Sequence, residues 1–237
     1  MTGREHSQGS PLINRSEDQG IGYLVLSNPP SNEMNLAFFH ELQERLAEIR
    51  KSGSLRGLVI TGIGRHFSSG AALEELLDRI VQTGCGDNES HFLLNNYRML
   101  NFFEDAPFPV VAAVRGVCLG SAFELALLCH FRICTEDAVF GLPESTFNLM
   151  PGLGGIRKIA SLSGKANALE LALRGKTFRA AEALELGLVD AIVPKKELAA
   201  RSVALIRSVS MNYHKENRLL YKTRYLGSHV PFENKTV

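Results

Sequence analysis

Apolar residues in this chain recur at two spacings, and the change from one to the other predicts where its elements lie. Short apolar runs at residues 21–26, 57–61 and 109–114 are bounded by turn-forming residues, which is typical of buried strands. Between and after them apolar positions recur at helical spacing, and Asn35 is placed to cap the first such segment. The predicted helices are 36–51, 73–80, 91–104, 121–129, 165–174, 180–186 and 196–209. Strands that alternate with amphipathic helices indicate an α/β fold with crossover connections.

The chain divides into three predicted parts. Residues 1–20 are polar and are expected to form a flexible lead-in, and residues 21–195 hold the predicted α/β core. Residues 196–237 are expected to form a short helical C-terminal region, whose cations we interpret as a solvated helix face or as contacts for substrate phosphates. With 237 residues, a single domain can bury a substantial core.

Composition excludes several classes of function. The net charge is +1 with acids and bases intermixed, so a nucleic-acid partner is not expected. Apolar stretches end before membrane-spanning length, and the first residues have no apolar signal segment. The four cysteines show no paired framework, which favours reduced thiols and a cytoplasmic location. Cys129, His130 and Cys134 lack a fourth ligand nearby, so no metal is expected.

Two acids stand in unusually apolar surroundings. Glu124 lies in the first turn of a predicted helix of Leu and Ala, where an unpaired carboxylate is costly. Glu144 follows 20 positions later, between Pro143 and a glycine-rich loop. The pattern indicates a site with two carboxyl groups. The alternatives are an ion pair of Glu124 with Arg115 or Arg132, and a helix-capping role for Glu144.

The turn HFSSGAALEEL opens another helix, so its backbone N–H groups lack intrahelical acceptors. One interpretation is a helix cap in which Ser68 or Ser69 bonds the backbone. The other is half of an oxyanion hole, in which backbone N–H groups bind a developing negative charge. Spacing alone leaves both open.

Three linked motifs, HFSSGAALEEL, PVVAAVRGVCLGSAFELALLC and FGLPESTFNLMPGLGG, resemble the crotonase superfamily of enoyl-CoA hydratases and isomerases. The later segment RAAEALELGLVDAIVP is similar to the same family, and the resemblance covers residues 20–210. It implies a ClpP/crotonase-like fold, a spiral of strand-strand-helix repeats. It also implies a homotrimer or a dimer of trimers, an acyl-CoA or acyl-carrier thioester as substrate, and no cofactor beyond the CoA of the substrate.

The resemblance also implies roles for individual residues. Glu124 and Glu144 match the two catalytic glutamates of hydratases, and Ala71 and Ser121 match the donors of the oxyanion-hole N–H groups. We assign Glu124 to activating water and Glu144 to protonating Cα, although the pair shares protons. Substrate-binding positions implied by the same motifs are Ser69, Gly70, Gly120, Pro143 and Gly152.

Three positions depart from the family pattern. Ala72 stands where the family usually has Asp, and His130 replaces a common Asp, which we interpret as a structural change. Phe123 is large for its place and is expected to narrow the acyl pocket. These departures affect the expected substrate more than the fold.

The sequence therefore predicts hydration of a 2-enoyl-CoA double bond. The alternatives are an enoyl-CoA isomerase, a decarboxylase or dehydratase acting on a specialised thioester, and a non-catalytic acyl-CoA binding protein. Two poorly solvated acids argue against the binding protein. A serine hydrolase is set aside because Ser121 lacks the Gly-x-Ser-x-Gly elbow.

Overall fold

A computed structural model describes residues 10–83 and 87–210 together with Tyr213. The strands are β1 (Ile13–Asp18), β2 (Ile21–Leu26), β3 (Gly57–Gly62), β4 (Val110–Val114), β5 (Val117–Leu119), β6 (Phe131–Thr135), β7 (Val139–Gly141), β8 (Thr177–Arg179) and β9 (Ala191–Val193). The α-helices are α1 (Leu36–Ser52), α2 (Leu73–Thr83), α3 (Asp87–Leu100), α4 (Phe102–Asp105), α5 (Ser121–Leu128), α6 (Gly155–Ser163), α7 (Lys165–Arg174), α8 (Ala180–Glu185) and α9 (Leu198–Ser210). Short 3₁₀ helices span Pro143–Phe147 and Lys195–Glu197.

A sheet in the order β1-β2-β3-β4-β6-β9 forms the centre of the fold. Every neighbouring pair from β2 onward is parallel, whereas β1 is antiparallel to β2 at the edge. Parallel neighbours need crossover connections, and helices supply several of them. The α/β alternation expected from the sequence is therefore present.

Alternate residues of the central strands enter two different apolar clusters. In β4, Val110, Ala112 and Val114 belong to the main core with α1 and α5, while Val111 and Ala113 face the opposite side with α9. Because both faces of the strand are covered, its sequence is continuously apolar rather than alternating. The helical C-terminal region thus contributes α9 to the core, and residues 211, 212 and 214–237 lie outside the described part.

A second, smaller sheet in the order β5-β7-β8 places the turns that carry the candidate site. The chain passes from β4 through β5 into α5, and then from β6 through β7 toward α6, so the strand-strand-helix unit repeats. Each pass returns the chain to the same end of the molecule. Glu124 and Glu144 follow β5 and β7, which are parallel neighbours, and this pairing brings the two acids together.

Two predictions about elements are wrong. The expected lead-in over residues 1–20 contains a strand at Ile13–Asp18, in which only Ile13 is buried. The Glu41 carboxylate on α1 ties this edge down by accepting the Leu12 and Ile13 N–H groups at 2.8 and 3.2 Å. The helix predicted over residues 91–104 is two helices, α3 and α4, separated at Asn101. Residues 1–9 lie outside the described part of the chain.

In the described ranges, no helix has both the length and the apolar character needed to cross a bilayer.

Candidate active site

Glu124 is buried at the start of α5 and is held by backbone groups. The side chain lies among seven buried residues of an eight-residue helix, and Glu124 itself is 1% exposed. Its Oε1 accepts hydrogen bonds from the N–H groups of Leu153 and Gly155 at 2.9 and 2.8 Å. Gly155 is the first residue of α6, so the carboxylate occupies the favourable end of that helix dipole.

The arginines considered as partners of Glu124 have other partners. Arg132 is fully buried, donates to the carbonyl of Cys129 at 2.6 Å and lies 3.4 Å from the Asp190 carboxylate. Arg115 donates to the carbonyl of Gly62. The ion-pair interpretation of Glu124 is therefore wrong, and its stabilisation comes from backbone N–H groups.

Glu144 lies in the 3₁₀ helix that starts at Pro143 and is half-buried. Its Oε2 is shielded from water and has no hydrogen-bond partner among the described residues. A Cβ placed on Gly120 would stand 3.0 Å from Glu144 Oε1, and Gly120 has φ of +52°. Glycine is therefore required at the turn before α5, where it admits the carboxyl group of Glu144.

Both acids have raised proton affinities. Burial raises the pKa of Glu124 to about 7, the N–H groups of Gly155, Leu153 and Gly152 oppose the rise, and the Glu144 charge adds to it. Burial also raises the pKa of Glu144. A carboxyl group with a pKa of about 7, as in Glu124, can give and take protons under physiological conditions.

Ala71 presents a backbone N–H that its own segment does not use. On one side of this segment, the Met34 N–H donates to Gly70 O at 2.8 Å and the Ala72 N–H donates to Met34 O at 3.2 Å. Alternate N–H groups of an extended segment point to opposite sides, so the Ala71 N–H faces away from Met34. It has no acceptor among the described residues, and α2 begins two residues later.

Ser121 presents the second N–H close by. As the first residue of α5 it has no intrahelical acceptor. A Cβ on Gly70 would lie 3.5 Å from the Ser121 nitrogen and 2.5 Å from the Leu119 oxygen, and Gly70 has φ of +95°. The two segments therefore approach as closely as glycine allows, which places the Ala71 and Ser121 backbones side by side.

The serines before Ala71 support this turn. The Ser68 hydroxyl accepts the Gly70 N–H at 3.0 Å, and the Ser69 N–H donates to the Ser31 carbonyl at 2.9 Å. Ser68 does bond the backbone, but Gly70 lies three residues before α2, so the bond stabilises the turn and the helix-cap interpretation is wrong. The bond is compatible with the other interpretation, because the Ala71 N–H is not used in these bonds.

The sequence motifs did not single out the backbone donors of the 152–155 loop. A Cβ on Gly152 would lie 3.2 Å from a methyl carbon of Leu93, and one on Gly154 would lie 2.7 Å from the Tyr97 ring. Helix α3 therefore packs directly on the loop that holds Glu124. The glycine-rich run was the available signal, but it does not say which N–H groups turn toward the acid.

For two of the three departures from the family pattern, the contacts of the side chain show what the residue does. His130 is buried, its Nδ1 accepts the Val110 N–H at 3.0 Å and its Nε2 meets the Glu104 carbonyl, so its structural role is confirmed. Phe123 is fully buried against the rings of Phe140 and Phe178. The expectation that Phe123 narrows an acyl pocket is wrong, because its side chain fills the core between α5 and the smaller sheet.

No set of three His, Cys, Asp or Glu side chains in the part of the chain that the structure describes is arranged to hold a metal ion. Cys129 donates to the Leu125 carbonyl, and burial raises its pKa to about 12.

Known proteins resemble this chain in sequence and in fold. A family model described as enoyl-CoA hydratase/isomerase matches residues 16–223. A Bacillus subtilis protein named "Probable enoyl-CoA hydratase" is 36% identical over 180 residues, which are 75% of this chain and 67% of the relative. The fatty acid oxidation complex subunit alpha of Shewanella sp. strain ANA-3 is 37% identical over 201 residues, which are 81% of this chain and 27% of that relative.

A crystal structure of a Thermobifida fusca YX protein in complex with CoA has 29% sequence identity and a TM-score of 0.74, covering 89% of this chain and 82% of the other. The chain therefore belongs to the enoyl-CoA hydratase/isomerase family. It is an enzyme of that family and has the crotonase fold.

Proposed function

We propose that this enzyme hydrates the double bond of a 2-enoyl-CoA thioester. The observation that carries the proposal is the convergence of two carboxyl groups of raised pKa with two backbone N–H groups that lack acceptors in the described part of the chain. The Thermobifida fusca neighbour was solved with CoA, which supports a CoA ester as the substrate class.

Hydration of a conjugated thioester needs three contributions. The N–H groups of Ala71 and Ser121 donate to the thioester oxygen, which gains negative charge as the enolate forms. Glu124 accepts a proton from water as the oxygen of that water attacks Cβ. Glu144 donates a proton to Cα, so the product is the 3-hydroxyacyl thioester. The acids end with their protonation states exchanged and are reset by proton transfer between them or with solvent.

The proposed roles agree with the different surroundings of the two acids. Glu124 Oε1 is fixed by two backbone donors, which suits a base that must hold water in a defined orientation. Glu144 Oε2 has no hydrogen-bond partner among the described residues, so no protein group competes for the proton that it is proposed to deliver. The turns that carry the two acids and the two N–H groups are also proposed to line the substrate. Their residues at these positions are Ser69, Gly70, Gly120, Pro143 and Gly152.

An enoyl-CoA isomerase is the second candidate. The free oxygen of Glu144 favours it, because moving a double bond needs one acid that removes and returns a proton, with no attacking water. The two candidates differ in their dependence on Glu124. Hydration needs both carboxyl groups, whereas isomerisation through Glu144 tolerates the loss of the other acid.

The test follows the loss of the conjugated-thioester absorbance of crotonyl-CoA in the parent, Glu124→Gln and Glu144→Gln proteins. We expect each variant to lose at least about a hundredfold in kcat, because each removes one step of acid–base catalysis. Glu170→Gln is the matched control, since Glu170 is an exposed acid on α7 paired with Arg174.

Three other results would change the proposal. A parent protein that binds the ester without hydrating it, and shifts the double bond of a 3-enoyl-CoA, is an isomerase. If the parent protein binds the ester but transforms neither substrate, it is tested next for decarboxylase activity, for dehydratase activity and on carrier-bound thioesters. If these tests also fail, the protein is assigned as a non-catalytic acyl-CoA binding protein. Absence of binding would contradict the thioester substrate.

The proposal extends to cofactors, assembly and location. The acid–base steps need no redox group or metal, and CoA enters as part of the substrate. We propose a homotrimer or a dimer of trimers, supported by exposed apolar residues on and near α7. Cys118, Cys129 and Cys134 are buried free thiols, which fits a reducing compartment such as the cytoplasm.

A further inference from the structure

The first turn of α6 carries two adjacent cations that meet the same carboxylate. Arg157 donates to Glu104 Oε2 at 2.8 Å, and Lys158 donates to Glu104 Oε1 at 3.0 Å. Lys158 is 3% exposed, so the pairing with Glu104 helps to keep its ammonium group charged away from water. Burial alone would raise the pKa of Glu104, but hydrogen bonds from Arg157 and Lys158 leave that pKa lowered, and the group is ionised at neutral pH.

Glu104 is itself held in place from a second direction. It belongs to α4, and its backbone carbonyl lies 3.0 Å from the Nε2 atom of His130, a ring buried at the end of α5. The hydrogen bond with Glu104 raises the pKa of the Arg157 guanidinium, and a weaker interaction with the Tyr97 hydroxyl of α3 adds to the rise. The cluster Glu104–Arg157–Lys158 therefore joins α3, α4 and α6.

The same turn of α6 holds Glu124. Gly155, two residues before Arg157, donates its N–H to Glu124 Oε1, and a Cβ on Gly155 would lie 2.7 Å from Glu124 Cγ. The fit leaves no room for α6 to move toward α5, and the ion pairs oppose movement away from it. We infer that Glu104 is a positioning residue, which holds the first turn of α6 so that the Gly155 and Leu153 N–H groups stay bonded to Glu124.

Two physical models give opposite predictions for the loss of the Glu104 charge. If Glu104 acts by position, loosening α6 weakens the N–H bonds that stabilise the ionised form, and the pKa of Glu124 rises above about 7. If it acts only through its electric field, removing a negative charge lowers that pKa. The charged side chains described on the elements around Glu124 are Arg98 on α3, Glu104 and Asp105 on α4, Arg132 on β6, Glu144 in the 3₁₀ helix, and Arg157 and Lys158 on α6.

The experiment is an infrared titration of the Glu124 carboxyl C=O band, assigned by its absence in Glu124→Gln. We expect the midpoint of Glu104→Gln to rise by about one pH unit, which corresponds to the loss of one charge-assisted hydrogen bond. Glu170→Gln removes an exposed ion-paired acid on α7 and is expected to leave the midpoint unchanged. A midpoint that falls or does not move in Glu104→Gln overturns the inference.

Glu104→Asp gives a second test that also serves if Glu104→Gln does not fold. Aspartate keeps the charge but is shorter by one methylene group, so it cannot hold both cations at their present distances. The positional model expects the midpoint to rise here too, and an unchanged midpoint contradicts it. If hydration is the reaction, the limb of the kcat/KM profile that reports Glu124 moves by the same amount.

The kinetic readout rests on the proposed function, whereas the infrared readout does not. A protein that does not hydrate crotonyl-CoA but shows the midpoint shift retains the positioning role and loses only the assigned reaction.

Discussion

Glu124 carries an ionisable group where water does not reach, and this has a predictable effect on stability. Its pKa rises from 4.5 to about 7 on folding, so the folded state binds more protons than the unfolded state between these values. Stability therefore falls as pH rises through this window and levels off above pH 7. Relative to Glu124→Gln, the parent should lose about 2–3 kcal/mol of unfolding free energy between pH 5 and pH 8.

Urea unfolding of the parent and Glu124→Gln at both pH values measures this difference. Comparing the two proteins cancels the contributions of the other carboxylates. Glu170→Gln should follow the parent at both pH values, since Glu170 is largely exposed. A constant difference between parent and Glu124→Gln would mean that the buried carboxyl does not titrate in this range.

Sequence reasoning finds the two acids but not what holds them. Glu124 stands out because a charged residue interrupts a run of Leu and Ala, and an apolar helix makes such a residue costly. Its donors are backbone N–H groups of Leu153 and Gly155, and every residue except proline has such a group. Only the chain path through the 152–155 loop determines which of them turn toward Glu124.

At the scale of elements, α5 depends on a residue outside itself. The Arg132 side chain on β6 donates to three carbonyls at the end of α5, those of Ala126, Leu127 and Cys129. It also pairs with Asp190, whose side chain is 5% exposed. Arg132→Met should lower the free energy of unfolding by about 3–5 kcal/mol, because it removes the guanidinium from a buried carboxylate and from the helix carbonyls, although the N–H of residue 132 still donates to Asp190.

Urea unfolding at neutral pH checks this value, with Arg174→Met as the matched control. Arg174 forms an exposed pair with Glu170 on α7, so its loss should change stability by no more than about 1 kcal/mol. If Arg132→Met is as stable as the control, the carbonyls at the end of α5 are satisfied without the guanidinium.

Helices and strands could be predicted from the sequence where the spacing of apolar residues reflects burial of one helix face or of a strand at the centre of the sheet. Asn35 caps α1 as expected, its side chain accepting the Phe38 N–H at 2.8 Å. β1 was missed because an edge strand that buries only Ile13 shows no apolar alternation. β5, β7 and β8 have three residues each, which is too short for any periodicity to appear.

The arrangement of the whole molecule was predictable only in class. Alternating strands and helices indicate a parallel sheet, but the order β1-β2-β3-β4-β6-β9 depends on contacts far apart in the chain. The resemblance to a family supplied the spiral repeat that periodicity could not. The parallel pairing of β5 with β7, which brings Glu124 and Glu144 to one place, is a tertiary feature of this kind.

At the scale of the whole molecule, the exposed surface of α7 is relevant to how copies of the chain assemble. Leu169 and Leu173 lie one helical turn apart and are 57% and 65% exposed, and nearby Phe147 and Met150 are 47% and 60% exposed. Apolar groups exposed together mark an interaction surface rather than a solvated face. We expect the protein to sediment at three or six times the chain mass of 26.0 kDa.

Replacing Leu169 and Leu173 together by Lys should convert that species to the monomer, because burying two ammonium groups in an apolar contact is unfavourable. Leu94→Lys, at an exposed leucine on α3, is the control and should keep the parent mass. A double variant that keeps the parent mass would place the contact on another face. A parent protein that sediments as a monomer at all concentrations would contradict the trimer itself, and α7 would then present its leucines to a different partner.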